Sequence, residues 1–231
     1  SYGGAGLELI DLALACEALG YGAAPGPILG HSLAGIALML AGSEEQKRNW
    51  LPKLAAGEII GTVAFAEATG WQPDDWKLAA SDTLSGVKNH VPFGSLADLV
   101  VVGTKGGGLA LVEGTRGVQA EPIEGADRTR RLDRLQFDQA PCELLPDGPS
   151  TAGRLRDAAL ILLSADAYGG AARCLDMTVD YAKTREQFGA TIGQFQGIKH
   201  QLANMAIRVD PIRYLYWYAA YCYDRTEDHC E

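Results

Sequence analysis

The stretch that decides the fold is residues 181–200, which read Tyr181-Ala182-Lys183-Thr184-Arg185-Glu186-Gln187-Phe188-Gly189-Ala190-Thr191-Ile192-Gly193-Gln194-Phe195-Gln196-Gly197-Ile198-Lys199-His200. Basic residues followed by a glycine-containing segment are typical of a helix end and a turn. A new helix is predicted to begin near Phe195. Free amides at a helix N-terminus beside Arg185 would bind an anion, and the planar fork of arginine donors suits a phosphate. The alternative is that Lys183 and Arg185 only complement the negative end of the first helix.

Long helices are predicted on both sides of this turn. Residues 155–184 carry apolar side chains on one helical face, and residues 195–209 repeat that spacing. Pro211 is expected to kink or end the second helix, because proline removes a backbone donor. Aromatic residues crowd positions 214–223 without interleaved basic residues. Helix packing is therefore favoured over a nucleic-acid stacking platform.

The first 62 residues are predicted to be helical. Apolar residues recur at helical spacing over 7–18 and again over 33–40, and glycines follow both runs. Ser43 and Gln46 have the spacing of a capping box, so a third helix is expected to begin there. Proline is tolerated at the first position of a helix, but Pro52 lies further inside this one. A local distortion is therefore predicted at Pro52.

Residues 63–149 have the composition of a small β domain. Short β-prone runs alternate with Gly, Pro, Asn and Asp, as in an antiparallel barrel or sandwich. The runs are Thr62-Val63-Ala64-Phe65, Leu99-Val100-Val101-Val102, Leu109-Ala110-Leu111-Val112, Gly117-Val118-Gln119-Ala120 and Leu135-Gln136-Phe137. Gly106-Gly107-Gly108 lies between two of them. We interpret it as a hairpin turn, since neither the helix nor the Lys-Ser/Thr of a phosphate loop follows.

Composition limits the class of protein. The chain has 231 residues, of which 29 are acidic and 20 basic, giving a formal charge of −9. No segment is basic, which counts against nucleic acid or an anionic membrane surface as the main partner. The longest apolar stretch is far shorter than the roughly 20 residues of a membrane span. Scattered cysteines without a CxxC pair predict a reducing compartment, the cytoplasm, and no metal site. They are Cys16, Cys142, Cys174, Cys222 and Cys230. Both ends read as mid-chain, so a piece of a longer protein is expected.

Several motifs occur together in a fixed order. They are Tyr2-Gly3-Gly4-Ala5-Gly6-Leu7, His31-Ser32, Gly42-Ser43-Glu44-Glu45-Gln46-Lys47, Leu51-Pro52-Lys53-Leu54 with Gly57-Glu58, Gly86-Val87-Lys88 with Ala97-Asp98, and Arg185-Glu186-Gln187-Phe188-Gly189 with Phe195-Gln196. In this spacing they resemble the acyl-CoA dehydrogenase family over nearly the whole chain. The resemblance implies an α+β multi-domain fold, truncated at both ends. Its parts are an N-terminal helical domain over 1–62, a middle β-barrel over 63–149 and a C-terminal helical bundle over 150–231.

The resemblance also implies FAD and the residues that hold it. In such enzymes the segment that begins with Arg185 binds the diphosphate and adenine end of a flavin held by the neighbouring subunit. The residues in this role are Arg185, Gln187, Phe188, Phe195 and Gln196. The flavin strand corresponds to Phe65-Ala66-Glu67, and a second flavin wall to His90-Val91-Pro92.

Two positions depart from the family pattern. The family has a threonine hydroxyl where Ala66 stands, and a serine or threonine near Pro92. Neither residue has a side-chain donor, so a weakened flavin cradle is expected. His90 is interpreted either as part of the flavin wall or a catalytic helper, or as an ordinary, partly buried histidine.

The catalytic base is expected to be a carboxylate that removes the proton α to a thioester. By spacing back from Arg185, one of the family's two base positions falls at Ala159, and an arginine that contacts the thioester tail falls at Leu160. Asp157 is the only acid nearby and is the candidate base, with a helix N-terminal carboxylate as the alternative. The family's other base position lies beyond Glu231.

The resulting hypothesis is a subunit of an FAD-dependent acyl-CoA dehydrogenase that introduces an α,β double bond. The helix around Asp157 and residues 174–185 look similar to members that act on steroid or other bulky acyl groups. The partners implied are an acyl-CoA, an electron-transfer flavoprotein or similar acceptor, and related chains in a homo- or heterotetramer. The alternatives are another flavoenzyme on the same scaffold, of the nitroalkane oxidase or flavin monooxygenase type, and a non-catalytic structural subunit.

Overall fold

The computed structural model describes residues 2–68 and 70–225, and these run from helices to strands and back to helices. The helices are α1 (Leu9–Tyr21), α2 (Ile28–Ala41), α3 (Glu44–Ala55), α4 (Gly148–Thr184) and α5 (Gln196–Arg225). The strands are β1 (Gly61–Ala64), β2 (Thr83–Pro92), β3 (Leu99–Thr104), β4 (Gly108–Glu113), β5 (Val118–Ile123), β6 (Leu132–Pro141), β7 (Glu143–Leu145), β8 (Glu186–Gln187) and β9 (Ala190–Thr191). The predicted order of helices, strands and helices is confirmed. Cys230 and the end of the chain lie outside the described residues.

The predicted capping box opens α3. The Ser43 hydroxyl accepts a hydrogen bond from the Gln46 amide at 3.2 Å, and the Gln46 side-chain oxygen accepts one from the Ser43 amide at 3.0 Å. Two amides that the helix leaves without internal partners are satisfied in this way. The helix continues through Pro52 to Ala55.

Removal of the cap gives a measurable test. Ser43→Ala is expected to lower the free energy of unfolding by about 1 kcal/mol, the usual cost of deleting an N-cap oxygen. The measurement is urea denaturation of the full-length protein. Ser81→Ala is the matched control, because its exposed hydroxyl makes no hydrogen bond within the described residues. An equal midpoint for both variants would contradict the role of the cap.

The β domain consists of two sheets around one core. One has the order β1-β3-β4-β7 and the other β2-β6-β5. Apolar side chains of both sheets meet between them. They are Ala64, Val100, Val102, Ala110 and Val112 from the first sheet, and Leu84, Val91, Leu135, Phe137 and Ala140 from the second. One pair, β1 with β3, is parallel rather than antiparallel, because the chain crosses to the other sheet through β2 before it returns. The predicted turn at Gly106 joins β3 and β4.

Both long helices extend further than the sequence predicted. Helix α4 begins at Gly148 rather than Leu155, and the hydroxyls of Ser150 and Thr151 donate to the Asp147 carbonyl at its start. Helix α5 does not end at Pro211. Its last turns carry buried residues, among them Tyr216, whose packing outweighs one lost hydrogen bond.

The chain divides into two compact units. The first contains residues up to Leu7 together with Pro25–Ala159, and the second contains Glu8–Ala24 together with the residues from Leu160 onward. In the second unit α1 packs with α5, since the Asp224 carboxylate accepts from the Leu9 amide at 3.0 Å. The three-domain boundaries at 62/63 and 149/150 stay a prediction.

By length and composition alone, α4 would be able to cross a membrane. Core helices pass the same test, and α4 buries a stripe that includes Leu155, Ala158, Leu162 and Ala165. The test therefore assigns no span. The four cysteines among the described residues form no disulfide bond.

Candidate functional site

In the second unit, strands β8 and β9 form a hairpin with a two-residue turn. Glu186 pairs with Thr191 and Gln187 with Ala190, so Phe188 and Gly189 make the turn. Both turn residues have positive φ, +53° and +78°, as a type I′ turn requires. Left-handed backbone is unfavourable for a bulky residue such as Phe188. The turn presents a phenyl ring that is 95% exposed.

The residues around this turn are held by backbone hydrogen bonds. The Arg185 amide donates to the Tyr181 carbonyl at 2.8 Å, and the Ile192 amide donates to the Arg185 carbonyl at 2.8 Å. Phe195, just before α5, lies edge-on to Phe188 with ring centroids 6.2 Å apart. The predicted turn and the second helix near Phe195 are thus present.

The side chains of this segment are available to a ligand. Within residues 2–68 and 70–225, no hydrogen bond or ion pair engages the Arg185 guanidinium. Gln187 and Gln196 are exposed, although the Gln187 amide donates to the Glu186 carbonyl at 2.8 Å. A segment that carries an unpaired guanidinium and two aromatic rings in contact suits an anionic group attached to a flat ring.

In the first unit, the segment Phe65-Ala66-Glu67 follows β1. Unlike the Arg185 hairpin, it is held by contacts of its side chains and backbone within the protein. The Phe65 ring stacks on Trp76 with centroids 5.0 Å apart, and the Ala66 carbonyl accepts from the Asn89 amide at 2.8 Å. This segment offers a ligand its backbone and the Ala66 methyl group.

The Glu67 carboxylate is used within the protein. It accepts hydrogen bonds from the Lys77 amide at 3.1 Å, the Leu78 amide at 3.2 Å and the Lys88 ammonium at 2.7 Å. Its side chain is 13% exposed and that of Lys88 is 0% exposed. The Glu67 carboxylate is thus engaged within the protein, and the assignment of Glu67 to cofactor binding stays a prediction.

The Lys88–Glu67 ion pair has opposing electrostatic contributions. Burial alone would raise the pKa of Glu67, but the hydrogen bonds from Lys88 and the two amides outweigh it and lower that pKa. Burial lowers the pKa of Lys88, and the attraction of Glu67 offsets only part of that effect. Sequence reasoning missed this pair. The strand period carried the signal, since Leu84, Gly86 and Lys88 fall on one face.

The second predicted wall lies at an irregularity in β2. The register with β6 shifts between Lys88 and Val91, and His90 in between has φ +53° and is exposed. The Val91 side chain is 0% exposed because it points into the core, so any contact of Val91 with a ligand is limited to its backbone. The Pro92 carbonyl accepts from the Thr62 hydroxyl at 2.6 Å.

Asp157 lies in the third turn of α4. The interpretation of Asp157 as a helix N-terminal carboxylate is wrong, because α4 begins at Gly148. Asp157 is 6% exposed, and the Arg156 guanidinium donates to it at 2.7 Å and 3.0 Å. Ala159 is buried and Leu160 is exposed. The role of Asp157 as a base stays a prediction. Among the described residues, no group of three His, Cys, Asp or Glu side chains is placed to hold a metal ion.

Comparison with known proteins identifies the family. Residues 1–58 match the model of the acyl-CoA dehydrogenase N-terminal domain, and residues 157–230 match that of the acyl-CoA dehydrogenase C-terminal domain. Acyl-CoA dehydrogenase IpdE2 of Mycobacterium tuberculosis is 38% identical over 211 residues, which are 91% of this chain and 56% of that protein.

Two solved structures have the same fold. The Tcur3481-Tcur3483 steroid ACAD variant is 33% identical with a TM-score of 0.86, covering 96% of this chain and 63% of that one. A glutaryl-CoA dehydrogenase from Mycobacterium smegmatis in complex with FADH2 is 28% identical with a TM-score of 0.85, covering 97% of this chain and 63% of that one.

Along the chain, three helices precede the two-sheet domain and two long helices follow it, with the Arg185 hairpin between those two; the matched acyl-CoA dehydrogenase structures share this fold. The chain belongs to the acyl-CoA dehydrogenase family. It spans about half the length of the IpdE2 proteins it matches.

Proposed function

We propose that the chain is a subunit of an FAD-dependent acyl-CoA dehydrogenase that introduces an α,β double bond into an acyl-CoA thioester. The Arg185–Phe188 hairpin carries this proposal. It combines, within four residues, a guanidinium that has no partner among the described residues and an exposed phenyl ring on strained backbone. Strain of this kind is retained mainly where binding requires it.

The hairpin fits the diphosphate and adenine end of FAD. Arg185 would bind a diphosphate oxygen, Phe188 and Phe195 would stack on the adenine, and Gln187 and Gln196 would supply hydrogen bonds. Family membership supports placing this contact across an interface, on a flavin in a neighbouring subunit. Bound FAD accepts the hydride in the oxidation.

The Phe65–Glu67 wall fits the flavin ring in part. Its contacts would come from the Ala66 methyl and the backbone, because Glu67 is already paired with Lys88. Removal of the α proton requires a carboxylate, and Asp157, buried and paired with Arg156, is the candidate within the described residues.

A second candidate is that the chain is the helper half of an unlike pair. The lack of a side-chain donor at Ala66 favours it, since such a chain would complete its partner's flavin site while holding none itself.

A bulky acyl group such as a steroid side chain is the proposed substrate. An electron-transferring flavoprotein is the proposed acceptor, and the cytoplasm is the proposed location.

The experiment measures FAD bound to the full-length protein, alone and with its partner chain. Arg185→Ala is expected to weaken FAD binding about tenfold or more, the loss of one charge-assisted hydrogen bond to an anion. Lys183→Ala is the matched control. Lys183 is a neighbouring exposed cation, and its ammonium makes a long, exposed ion pair with the Asp180 carboxylate at 3.9 Å. Equal FAD binding in both variants would refute the proposal. One FAD per unlike pair would favour the helper role.

A further inference from the structure

The buried lysine in β2 has no role in the proposed chemistry, yet it is among the largest side chains that the first unit buries completely. Lys88 is 0% exposed. Its ammonium donates to the Glu67 carboxylate at 2.7 Å and to the Phe65 carbonyl at 3.3 Å, and lies 5.6 Å from the centre of the Trp76 ring. An ammonium has three donors, and full burial is tolerated only when it is paired and hydrogen-bonded.

These contacts converge on a single piece of backbone. Lys88 holds Phe65 by its carbonyl and Glu67 by its carboxylate, which leaves Ala66 between two fixed points. Glu67 extends the connection, because its carboxylate also accepts from the amides of Lys77 and Leu78. Phe65 is further held by stacking on Trp76.

Lys88 also fixes the second wall from its own strand. It is the last residue in regular register with β6, opposite Leu135, before the shift that puts His90 in left-handed backbone. The Lys88 side chain thus joins the segment at Ala66 to β2, two residues before His90. The Asn89 amide, which follows Lys88, donates to the Ala66 carbonyl at 2.8 Å and closes the same connection.

We propose that Lys88 is a positioning residue, which holds the backbone at Ala66 and His90 in the shape that receives the flavin ring. This rests on the proposed function. Because Ala66 provides no hydroxyl, the ring is held by backbone shape, and that shape depends on the buried ammonium behind it. Lys88 itself does not touch the ligand.

Two variants separate positioning from simple stability. Lys88→Met leaves the buried Glu67 carboxylate without its cation and is expected to destabilise the fold. The double variant Lys88→Met with Glu67→Gln removes both charges and is expected to fold, because a neutral pair carries no uncompensated charge. Arg134→Met is the matched control, since it breaks an exposed ion pair with Glu121 in the neighbouring strand.

The measurements are FAD titration and visible circular dichroism of bound flavin, in the full-length assembly. With the double variant we expect roughly tenfold weaker binding and an altered flavin band, because the backbone at Ala66 and His90 loses the charge-assisted hydrogen bonds that hold its shape. Unchanged binding and an unchanged band in a folded double variant would overturn the proposal. Hydrogen exchange on the wild type adds an arm that needs no variant: FAD is expected to slow exchange at the Lys77, Leu78 and Asn89 amides, and unchanged exchange there would also overturn it. Failure of the wild type to bind FAD would instead refute the proposed function.

Discussion

Gly169→Ala is expected to lower the free energy of unfolding by about 3 kcal/mol, the upper part of the usual range for overpacking. A Cβ at Gly169 would overlap the Glu17 carbonyl oxygen and lie 2.7 Å from the Tyr21 amide nitrogen. The backbones of α1 and α4 approach closely at glycines of both helices, because a Cβ at Gly20 of α1 would likewise overlap the Asp166 carbonyl of α4. All of these neighbours are backbone atoms, which cannot rotate away as side chains do.

The next residue along α4 provides the control for this prediction. A Cβ at Gly170 would find its nearest atom, the Gly20 carbonyl oxygen, at 3.8 Å. Gly170→Ala is therefore expected to stabilise the protein by about 0.5–1 kcal/mol, the gain of alanine over glycine in a helix. Urea denaturation of both variants measures the difference. If Gly169→Ala unfolds at the midpoint of Gly170→Ala, the close crossing is not present in solution.

Local signals in the sequence predicted much of the fold. The capping box at Ser43 depends on residues three apart, and the apolar spacing of the long helices repeats within each turn. The start of α4 was missed because Gly148 and Pro149 read as a loop. Strand β2 was missed because Lys88, Asn89 and His90 are polar, although Lys88 points inward.

The candidate site could be predicted only in part. The turn after Arg185 is a local feature, and Gly189 within it predicted a turn at this place. Left-handed backbone at Phe188 was not, because this conformation is rare for bulky residues. The Glu67 carboxylate pairs with Lys88, which lies 21 residues later in the chain. The arrangement of the strands brings the two side chains together. The strand period indicates that Lys88 faces inward, but it does not indicate which carboxylate pairs with it.

The second large effect is expected at this pair. Glu67→Gln is expected to lower the free energy of unfolding at pH 7 by about 3 kcal/mol, because removal of one partner leaves a buried charge without compensation. The amide oxygen of glutamine still accepts from the Lys77 and Leu78 amides, so the change isolates the charge. Glu121→Gln is the control, since Glu121 forms an exposed ion pair with Arg134. Pairs of that kind contribute about 0–1 kcal/mol.

The loss in Glu67→Gln is also expected to depend on pH. Burial lowers the pKa of Lys88 and Glu67 raises it, so the variant has a lower Lys88 pKa than the wild type. The unfolded chain titrates near the ordinary lysine value of about 10.4, so between the two pKa values it binds more protons than the folded variant. Stability of the variant therefore rises with pH over that window, and its deficit against the wild type narrows from pH 7 to pH 10. Urea midpoints across this range measure the trend. A deficit that stays constant would contradict the expected fall in the Lys88 pKa when the Glu67 charge is removed.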